Sequence, residues 1–309
     1  MQLRPTGYGR AWAWMSLGVT PLLLALIHLT IGLRPEHFVF TAFFLGLAWA
    51  GPRARRFSAL TAPFVLTGLA YDFLRLFLHF RPEIHVGDLF EAERAIFGVG
   101  TAAGRVAISD IISAEIHPAL DLACGLTYIL YLIQVFAMGA YLYFRDEERM
   151  QRLAWSFTVA SALGWITWLV WPAAPPWYVD LYGTGPAVLA AVPSPAGAAR
   201  FDALLGVSLF SSFYARSANV FGAMPSLHVG YALLPALATW SLGGRLRWLT
   251  AGWVALMAFA AVYLRHHYVL DVVGGMVVAV IADGGVRAAQ HALAGREAHP
   301  NGASIEVST

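Results

Sequence analysis

Two short stretches of this chain hold side chains that could carry acid–base and nucleophilic chemistry. GAMPSLHVGYALL contains His228, and YLRHHYVLDVVGG contains His266, His267 and Asp271. His267 and Asp271 are four residues apart, so on a continuous helix they share a face, whereas the adjacent His266 would point about 100° away. An aspartate that accepts from one imidazole nitrogen leaves the other as a basic lone pair. Together these residues could provide a nucleophile, its orienting group and a general acid.

The rest of the chain is apolar enough to place these residues in a membrane. Of the 309 residues, 59% are hydrophobic and only 12% are charged, and the mean hydropathy is +0.63. Apolar runs of about 20 residues are long enough to cross a bilayer as helices. We therefore predict an all-α, polytopic membrane helix bundle with about eight transmembrane helices. The predicted spans are about 12–33, 37–51, 58–80, 119–144, 153–172, 226–242, 248–264 and 269–290.

The arginines divide the connections between these runs into two sides. Twelve lie on the side that holds both termini, and seven lie on the other side, spread over much longer loops. Cytoplasmic loops carry the excess of basic residues. The sequence thus predicts cytoplasmic termini, with His228 and His267 at the outer face.

The same runs suggest how the chain is organised. We predict N-terminal membrane helices over 1–57 and a catalytic transmembrane domain over 58–291. Two long outer loops, 81–118 and 173–225, interrupt this domain, and loops of that length are usually functional. The polar segment 292–309 is predicted to be a disordered cytoplasmic tail.

Several classes of protein and site are disfavoured by composition. The net charge is only +2 and no basic tract is present, so a nucleic-acid partner is not indicated. The single cysteine, Cys124, excludes an internal disulfide. There is no HExxH sequence, so we predict neither a metal site nor a cofactor.

The spacing of the two motifs resembles a known family. PSLH, followed about forty residues later by HHYVLD, resembles the second and third signature motifs of the type 2 phosphatidic acid phosphatase superfamily. The chain departs from those motifs at two positions, where Leu227 replaces a glycine and Ala261 replaces an arginine. The first motif, a lysine followed after six residues by Arg-Pro, is matched only by Arg81-Pro82, because Leu74 takes the place of the lysine.

Three further sequences resemble the inositol phosphorylceramide synthase branch of that superfamily, the aureobasidin-resistance family, which has many bacterial members. They are HHY with its following Asp, PAAPPWY, and YDFLR, and the resemblance covers most of 60–275. It implies a six-helix phosphatase-type core with extra helices, in a bacterial plasma membrane.

The resemblance also implies roles for the site residues. His267 would take the phosphoryl group as a phosphohistidine, and Asp271 would hold it in orientation. His228 would protonate the departing oxygen and then activate the acceptor. Ser226 and backbone N–H groups near it would bind phosphate oxygens at the start of a helix.

A cation must replace the missing motif arginine, because phosphoryl transfer depends on neutralising the phosphate oxygens. Arg75 is the first candidate, with Asp72 three residues before it to aim the guanidinium. An arginine that snorkels to the interface is the alternative for this residue. Arg265 and Arg216 are the other candidates.

Some polar residues are candidates for binding a lipid headgroup. His266 and Asp72 lie near the predicted site. His117 and Asp121 repeat the four-residue spacing at the outer end of another span, although a helix start is the alternative interpretation there.

These features favour a membrane lipid phosphotransferase that acts through a phosphohistidine at the outer face. It would transfer a phospho-headgroup, such as inositol phosphate, from a lipid phosphate substrate to a lipid alcohol. A lipid phosphate or prenyl diphosphate phosphatase, in which water is the acceptor, is the close alternative. A proton-coupled transporter is a more remote one, because transporter sites lie near the bilayer midplane rather than at one boundary.

Overall fold

The apolar runs of the sequence form helices. The structure, a computed structural model, describes residues 9–102, 104–215 and 219–298. Its elements are α1 (Arg10–Thr30), α2 (Pro35–Trp49), α3 (Pro52–Phe73), α4 (Gly87–Phe97), β1 (Val99–Thr101), β2 (Gly104–Val106), α5 (Ile108–Ala114), α6 (Pro118–Ile129), α7 (Tyr131–Arg145), α8 (Glu147–Val170), α9 (Pro176–Tyr182), α10 (Ala199–Leu205), α11 (Leu209–Tyr214), α12 (Leu227–Thr239), α13 (Gly244–Tyr263) and α14 (Val269–Ala298). Strands β1 and β2 form a short antiparallel hairpin, and helices otherwise dominate the described ranges. The predicted all-α, polytopic fold is confirmed.

The count of spanning helices differs from the predicted eight. Within the described ranges, five helices are long and apolar enough to cross a membrane. Helices α6 and α7, bent by 54° at their junction, make a sixth if they form one span. The two remaining predicted spans are the shorter apolar helices His37–Trp49 and Leu227–Leu242.

Helix α12 is short because it lies inside the protein. Sixteen residues from Leu227 to Leu242 rise only about 24 Å, less than the ~30 Å hydrocarbon core. Most of α12 is buried, packed against α7, α8, α13 and α14. Protein rather than lipid therefore surrounds this helix, and it carries His228 at its first turn.

Glycines let α12 and α14 approach closely. A Cβ atom on Gly275 would lie 2.1 Å from the carbonyl oxygen of Ser226, and one on Gly230 would lie 3.1 Å from the carbonyl oxygen of Gly275. Small residues permit such close helix contacts. This contact brings the start of α12 against the start of α14, so the two motifs meet.

The described parts of the two long loops are folded and are joined at the same end of the bundle. Ala173 forms parallel bridges with His85 on one side and with Gly222 on the other. The N–H of Ala174 donates to the carbonyl of His85 over 2.9 Å, and the N–H of Ala223 donates to the carbonyl of Ala173 over 3.2 Å. The loops therefore form one cap over the end of the bundle that holds the histidines.

Two helices have bounds that differ from the segments predicted for them. The third long helix begins at Pro52 rather than at 58. At the other end, α14 continues to Ala298, so residues 292–298 are helical and not the disordered segment predicted there. The remaining part of that predicted tail, 299–309, lies outside the described residues.

Candidate active site

The two motif histidines meet at the end of the bundle. His228 lies in the first turn of α12, and His267 lies in the turn between α13 and α14. The Nε2 atom of His267 is 3.4 Å from the Nδ1 atom of His228. Both nitrogens are therefore close enough to reach one bound phosphate group.

His267 is oriented by a backbone carbonyl and a carboxylate. Its Nδ1 atom lies 3.0 Å from the carbonyl oxygen of Ala223 and 3.6 Å from Oδ2 of Asp271. A proton on Nδ1 satisfies the carbonyl, so the tautomer that fits has its lone pair on Nε2. The adjacent buried carboxylate stabilises the imidazolium form of such a histidine.

The way in which Asp271 reaches His267 differs from the expected shared helix face. Helix α14 begins only at Val269, so His267 precedes the helix. The carboxylate of Asp271 instead turns back over the helix start, where it accepts from the N–H of Tyr268 over 2.8 Å. The pair is therefore built by a capped helix N-terminus and not by helical periodicity.

Because the turn is not helical, both adjacent histidines face the cavity. Arg265 has a positive φ of 64°, and the N–H groups of His266 and His267 both donate to the carbonyl of Ala261. The expectation that only one of them would face Asp271 agrees with the contact of His267 with that carboxylate, although both rings line the cavity. Its physical basis, 100° between neighbouring side chains, applies only within a helix.

His266 lines the cavity as an uncharged aromatic ring. Its ring is stacked between Tyr128 at 4.9 Å and Tyr214 at 4.7 Å, measured between ring centroids. Burial, helped by the neighbouring His267, lowers the pKa of His266 to about 3. The imidazole is therefore uncharged at neutral pH, and it cannot serve as a cation for phosphate.

Two tyrosines, Tyr128 and Tyr131, pack against His228. No sequence motif indicates them. The ring of Tyr128 stacks on His228 with 4.1 Å between centroids, and its hydroxyl lies 3.1 Å from Nδ1 of His228. Tyr131 lies 4.4 Å away, between centroids. Both tyrosines flank the bend between α6 and α7. In the sequence they are part of an apolar run, where aromatic residues usually indicate core packing.

Ser226 is not placed to bind phosphate, contrary to the prediction. It is fully buried, and it is absent from the cavity lining among the described residues. Its N–H donates to the carbonyl of Asp271 over 2.9 Å. The residue therefore joins the starts of α12 and α14 instead of offering its N–H to a ligand.

Arg75 and Asp72 are also placed differently from the prediction. Arg75 is exposed and lies outside the cavity lining of the described chain. Asp72 forms an ion pair with Arg34 and lies 3.2 Å from Nε2 of the buried His37. Asp72 therefore fastens the second helix to the third and does not aim Arg75 or face a headgroup.

Arg265 joins the two outer loops and does not enter the site. Its guanidinium donates to Asp180, with one contact of 2.9 Å, and it also pairs with Asp110. Asp110 comes from the first loop and Asp180 from the second, so the arginine is already neutralised by two carboxylates. The predicted role of Arg265 as a phosphate ligand is not supported.

The second four-residue pair, His117 and Asp121, is structural. His117 is exposed, and its Nδ1 accepts from the N–H of Ala119, which caps α6. Asp121 is buried and accepts from Arg200 over 2.7 Å and from the hydroxyl of Tyr263 over 2.9 Å. Neither residue lines the cavity among the described residues, so the helix-start interpretation is the better one.

A different arginine approaches the site. Arg81 donates from Nη1 to Oδ1 of Asn219 over 2.7 Å, and Asn219 lines the cavity beside the histidines. Arg81, the arginine of the Arg-Pro match, therefore contacts the cavity lining through Asn219, although it does not itself line the cavity among the described residues. Arg216, the remaining candidate, lies outside the described residues.

The histidines form part of the polar lining of a largely apolar cavity. The cavity has a volume of about 390 Å³ and extends between α3, α7 and α8. Large apolar and aromatic side chains make up much of its lining, among them Phe64, Leu132, Phe136, Phe157 and Trp165. A cavity of this form suits a molecule with a polar head and an alkyl chain.

Comparisons with known proteins agree with this site. A phosphoinositol dihydroceramide synthase of Bacteroides thetaiotaomicron is 33% identical over 269 residues, which cover 85% of this chain and 87% of that protein. The catalytic subunits of inositol phosphorylceramide synthase from Schizosaccharomyces pombe and Saccharomyces cerevisiae are 34% and 32% identical. These matches cover 65% and 77% of this chain but only 46% and 58% of the fungal proteins. No solved structure matches the chain significantly.

A family model also matches the part of the chain that contains the site. The match to the PAP2 superfamily covers residues 107–284 and so includes both motif histidines and Asp271. It extends over more than half of the chain, and the bacterial relative matches nearly all of it. The chain belongs to the PAP2 superfamily, and the relatives named above are a phosphoinositol dihydroceramide synthase and two inositol phosphorylceramide synthases.

Proposed function

We propose that this chain is a membrane lipid phosphotransferase that moves a phosphoinositol headgroup from a phospholipid to the hydroxyl of a ceramide-type lipid. The observation that carries the proposal is the pair His228 and His267, 3.4 Å apart, in the polar lining of a largely apolar cavity. The names of the bacterial and fungal relatives support the headgroup and the acceptor class.

In the first half-reaction, His267 is the nucleophile. The lone pair on Nε2 attacks the donor phosphorus and forms a P–N bond, while the bond from phosphorus to the glycerol oxygen breaks. His228 donates a proton to that oxygen, so the departing lipid leaves as a neutral alcohol. Asp271 stabilises the positive charge that develops on the His267 imidazole.

In the second half-reaction, the hydroxyl of the acceptor lipid attacks the same phosphorus. His228, now without its proton, accepts the hydroxyl proton, and the P–N bond to His267 breaks. The headgroup then lies on the acceptor, and both histidines return to their starting states. Water in place of the lipid alcohol would give hydrolysis, so the exclusion of water decides between a transferase and a phosphatase.

The cavity and Arg81 complete the proposal. The aromatic part of the cavity lining would hold the alkyl part of a lipid substrate, and burying apolar surface favours such binding by roughly 25 cal/mol per Å². Arg81 would bring positive charge to the polar part of the lining, where preorganised charge stabilises the transition state.

Reconstitution tests the function. Full-length protein in vesicles that contain phosphatidylinositol and dihydroceramide should form a phosphoinositol-bearing ceramide and an equal amount of diacylglycerol. We expect Arg81→Ala to slow this transfer by roughly 10²-fold, the usual cost of removing a positioned donor to developing charge. Release of inositol phosphate from phosphatidylinositol without any transfer product, or of inorganic phosphate in parallel vesicles that contain phosphatidate, would instead identify a phosphatase.

Lipid analysis provides the matching observation in cells. Mass spectrometry should show that the phosphoinositol-bearing sphingolipid is lost when the gene is deleted and returns when it is restored. An unchanged lipid profile would contradict the proposal.

The chain is an integral membrane protein, and we propose that its termini are cytoplasmic with the site at the outer face. The split of twelve to seven arginines supports this orientation. In intact cells, a membrane-impermeant thiol reagent should label Leu189→Cys in the second outer loop. It should label Leu293→Cys, near the end of α14, only after permeabilisation. Both positions are exposed. Labelling of Leu293→Cys in intact cells, with Leu189→Cys labelled only after permeabilisation, would show that the orientation is the reverse of the one proposed.

A further inference from the structure

Glu93, in the first outer loop, contacts the helix that carries Asp271. It lies on α4 and is completely buried. One carboxylate oxygen accepts from the N–H of Val269 and the other from the N–H of Leu270, each over 3.1 Å. No salt bridge to Glu93 is formed within the described chain, so these two amides are its polar partners.

Two carboxylates thus share the first turn of α14. Asp271 accepts from the N–H of Tyr268, and Glu93 accepts from the next two amides. The first N–H groups of a helix lack partners within the helix, and the helix dipole favours negative charge there. Tyr268 is buried and Val269 and Leu270 are half-buried, so leaving these N–H groups without an acceptor would cost free energy.

Because Glu93 accepts from the amides of Val269 and Leu270, the carboxylate of Asp271 can stay next to His267. Its Oδ2 atom lies 3.6 Å from Nδ1 of His267 while also capping Tyr268. If Glu93 were absent, the amides of Val269 and Leu270 would lack an acceptor, and the carboxylate of Asp271 on the same turn would be available to them. Rotation toward those amides would carry it away from His267.

We propose that Glu93 is a positioning residue, which holds Asp271 against His267 by capping the start of α14 from the outer loop. This inference rests on the proposed function of the site. Other contacts of α4 support it, because Leu89 packs with Tyr268 in one buried cluster and Phe90 lies 6.4 Å from Tyr268, between ring centroids. Helix α4 is therefore fastened to the turn that contains the nucleophile.

The substitution Glu93→Gln tests the proposal. Glutamine keeps the shape of the side chain but presents an NH₂ group to one of the two amides. We expect kcat to fall about 10- to 100-fold, the range for loss of a hydrogen bond to a charged group, with KM changed less than twofold. Glu91→Gln is the matched control, because Glu91 lies on the same helix but is exposed and pairs with Arg94. It should retain wild-type turnover.

A double-mutant cycle separates positioning from mere stabilisation. If Glu93 acts through Asp271, Glu93→Gln should cost less than twofold in an Asp271→Asn background. If the two substitutions acted independently, their fold-reductions in turnover would multiply instead. A double variant whose turnover is reduced by the product of the two single reductions would overturn the proposal.

A second measurement does not depend on lipid turnover. Diethyl pyrocarbonate modifies the free nitrogen of a histidine, and mass spectrometry reports its rate at His267 separately from the rates at other histidines. The rate should fall in Glu93→Gln and stay at the wild-type value in Glu91→Gln. A lowered rate in a protein that makes no lipid product would support the positioning role and refute the proposed function. An unchanged rate would refute the positioning role.

The substitution Val269→Pro keeps the test decisive if Glu93→Gln folds poorly. Proline is well tolerated at the first position of a helix and has no N–H, so it removes one of the two amides that Glu93 satisfies. The double variant should therefore recover folding, turnover and His267 reactivity relative to Glu93→Gln alone. A double variant no better than the single one would show that Glu93 does not act through these amides.

Discussion

Replacing His267 with alanine is expected to abolish covalent labelling of the protein by a phosphorus-labelled lipid donor. The substitution removes the atom that would bind phosphorus, so no donor can form the intermediate, whatever its leaving group. Turnover should fall by roughly 10⁴–10⁶-fold, as it does when the nucleophile of a catalytic set is removed. The measurement is a label on the denatured protein that is lost in acid and retained in base, which is the behaviour of phosphohistidine.

Two comparisons make this result specific. His291→Ala changes an exposed histidine near the far end of α14, and it should label and turn over like the wild type. Asp271→Asn should label more slowly without losing the label, because it keeps the nucleophile and weakens only its support. Label retained in a folded His267→Ala protein would mean that another side chain accepts the phosphorus.

The substitution His228→Ala is expected to slow transfer by about 10²–10⁴-fold, the usual contribution of general acid catalysis. Here the nucleophile remains 3.4 Å from the position of the lost ring, but the departing alkoxide has no proton donor. A nitrophenyl phosphate ester that enters the site needs little protonation, because nitrophenolate is a stable leaving group. It should therefore restore the first half-reaction in His228→Ala and not in His267→Ala.

The second half-reaction gives an independent signal for the same variant. His228 would also remove the proton from the acceptor hydroxyl, so the phosphohistidine should accumulate in His228→Ala when a good leaving group is used. Rescue of both histidine variants by the nitrophenyl ester, or of neither, would contradict the assignment of distinct roles. The site would then be only a phosphate-binding site.

Much of the fold and the central residues of the site could be predicted from the sequence alone. Hydropathy depends on composition over about twenty residues, so the apolar helices can be recognised in the sequence without any knowledge of the segments that pack against them. The motif residues His228, His267 and Asp271 are recognised by type and spacing, which are also local properties. The number of full spans was overestimated because a buried helix such as α12 is as apolar as one that faces lipid.

The tertiary structure decided the partners of the charged side chains. Arg265 was a reasonable phosphate ligand by its position in the sequence, yet the folded loops bring Asp110 and Asp180 to it. Arg81 was discounted for a missing lysine, yet it contacts the cavity lining through Asn219. Such pairs join residues 85 to 155 positions apart, and no periodicity within one element encodes them.

The structure also decided how His267 is held. The sequence determined that His267 and Asp271 lie near each other, because residues only four positions apart in the chain are also close in space. Only the fold showed that a turn separates His267 from α14 and that Glu93, 176 and 177 residues away from its partners, caps that helix. The reason is physical: a buried N–H group must find an acceptor, and which acceptor it finds depends on the segments that packing brings to it.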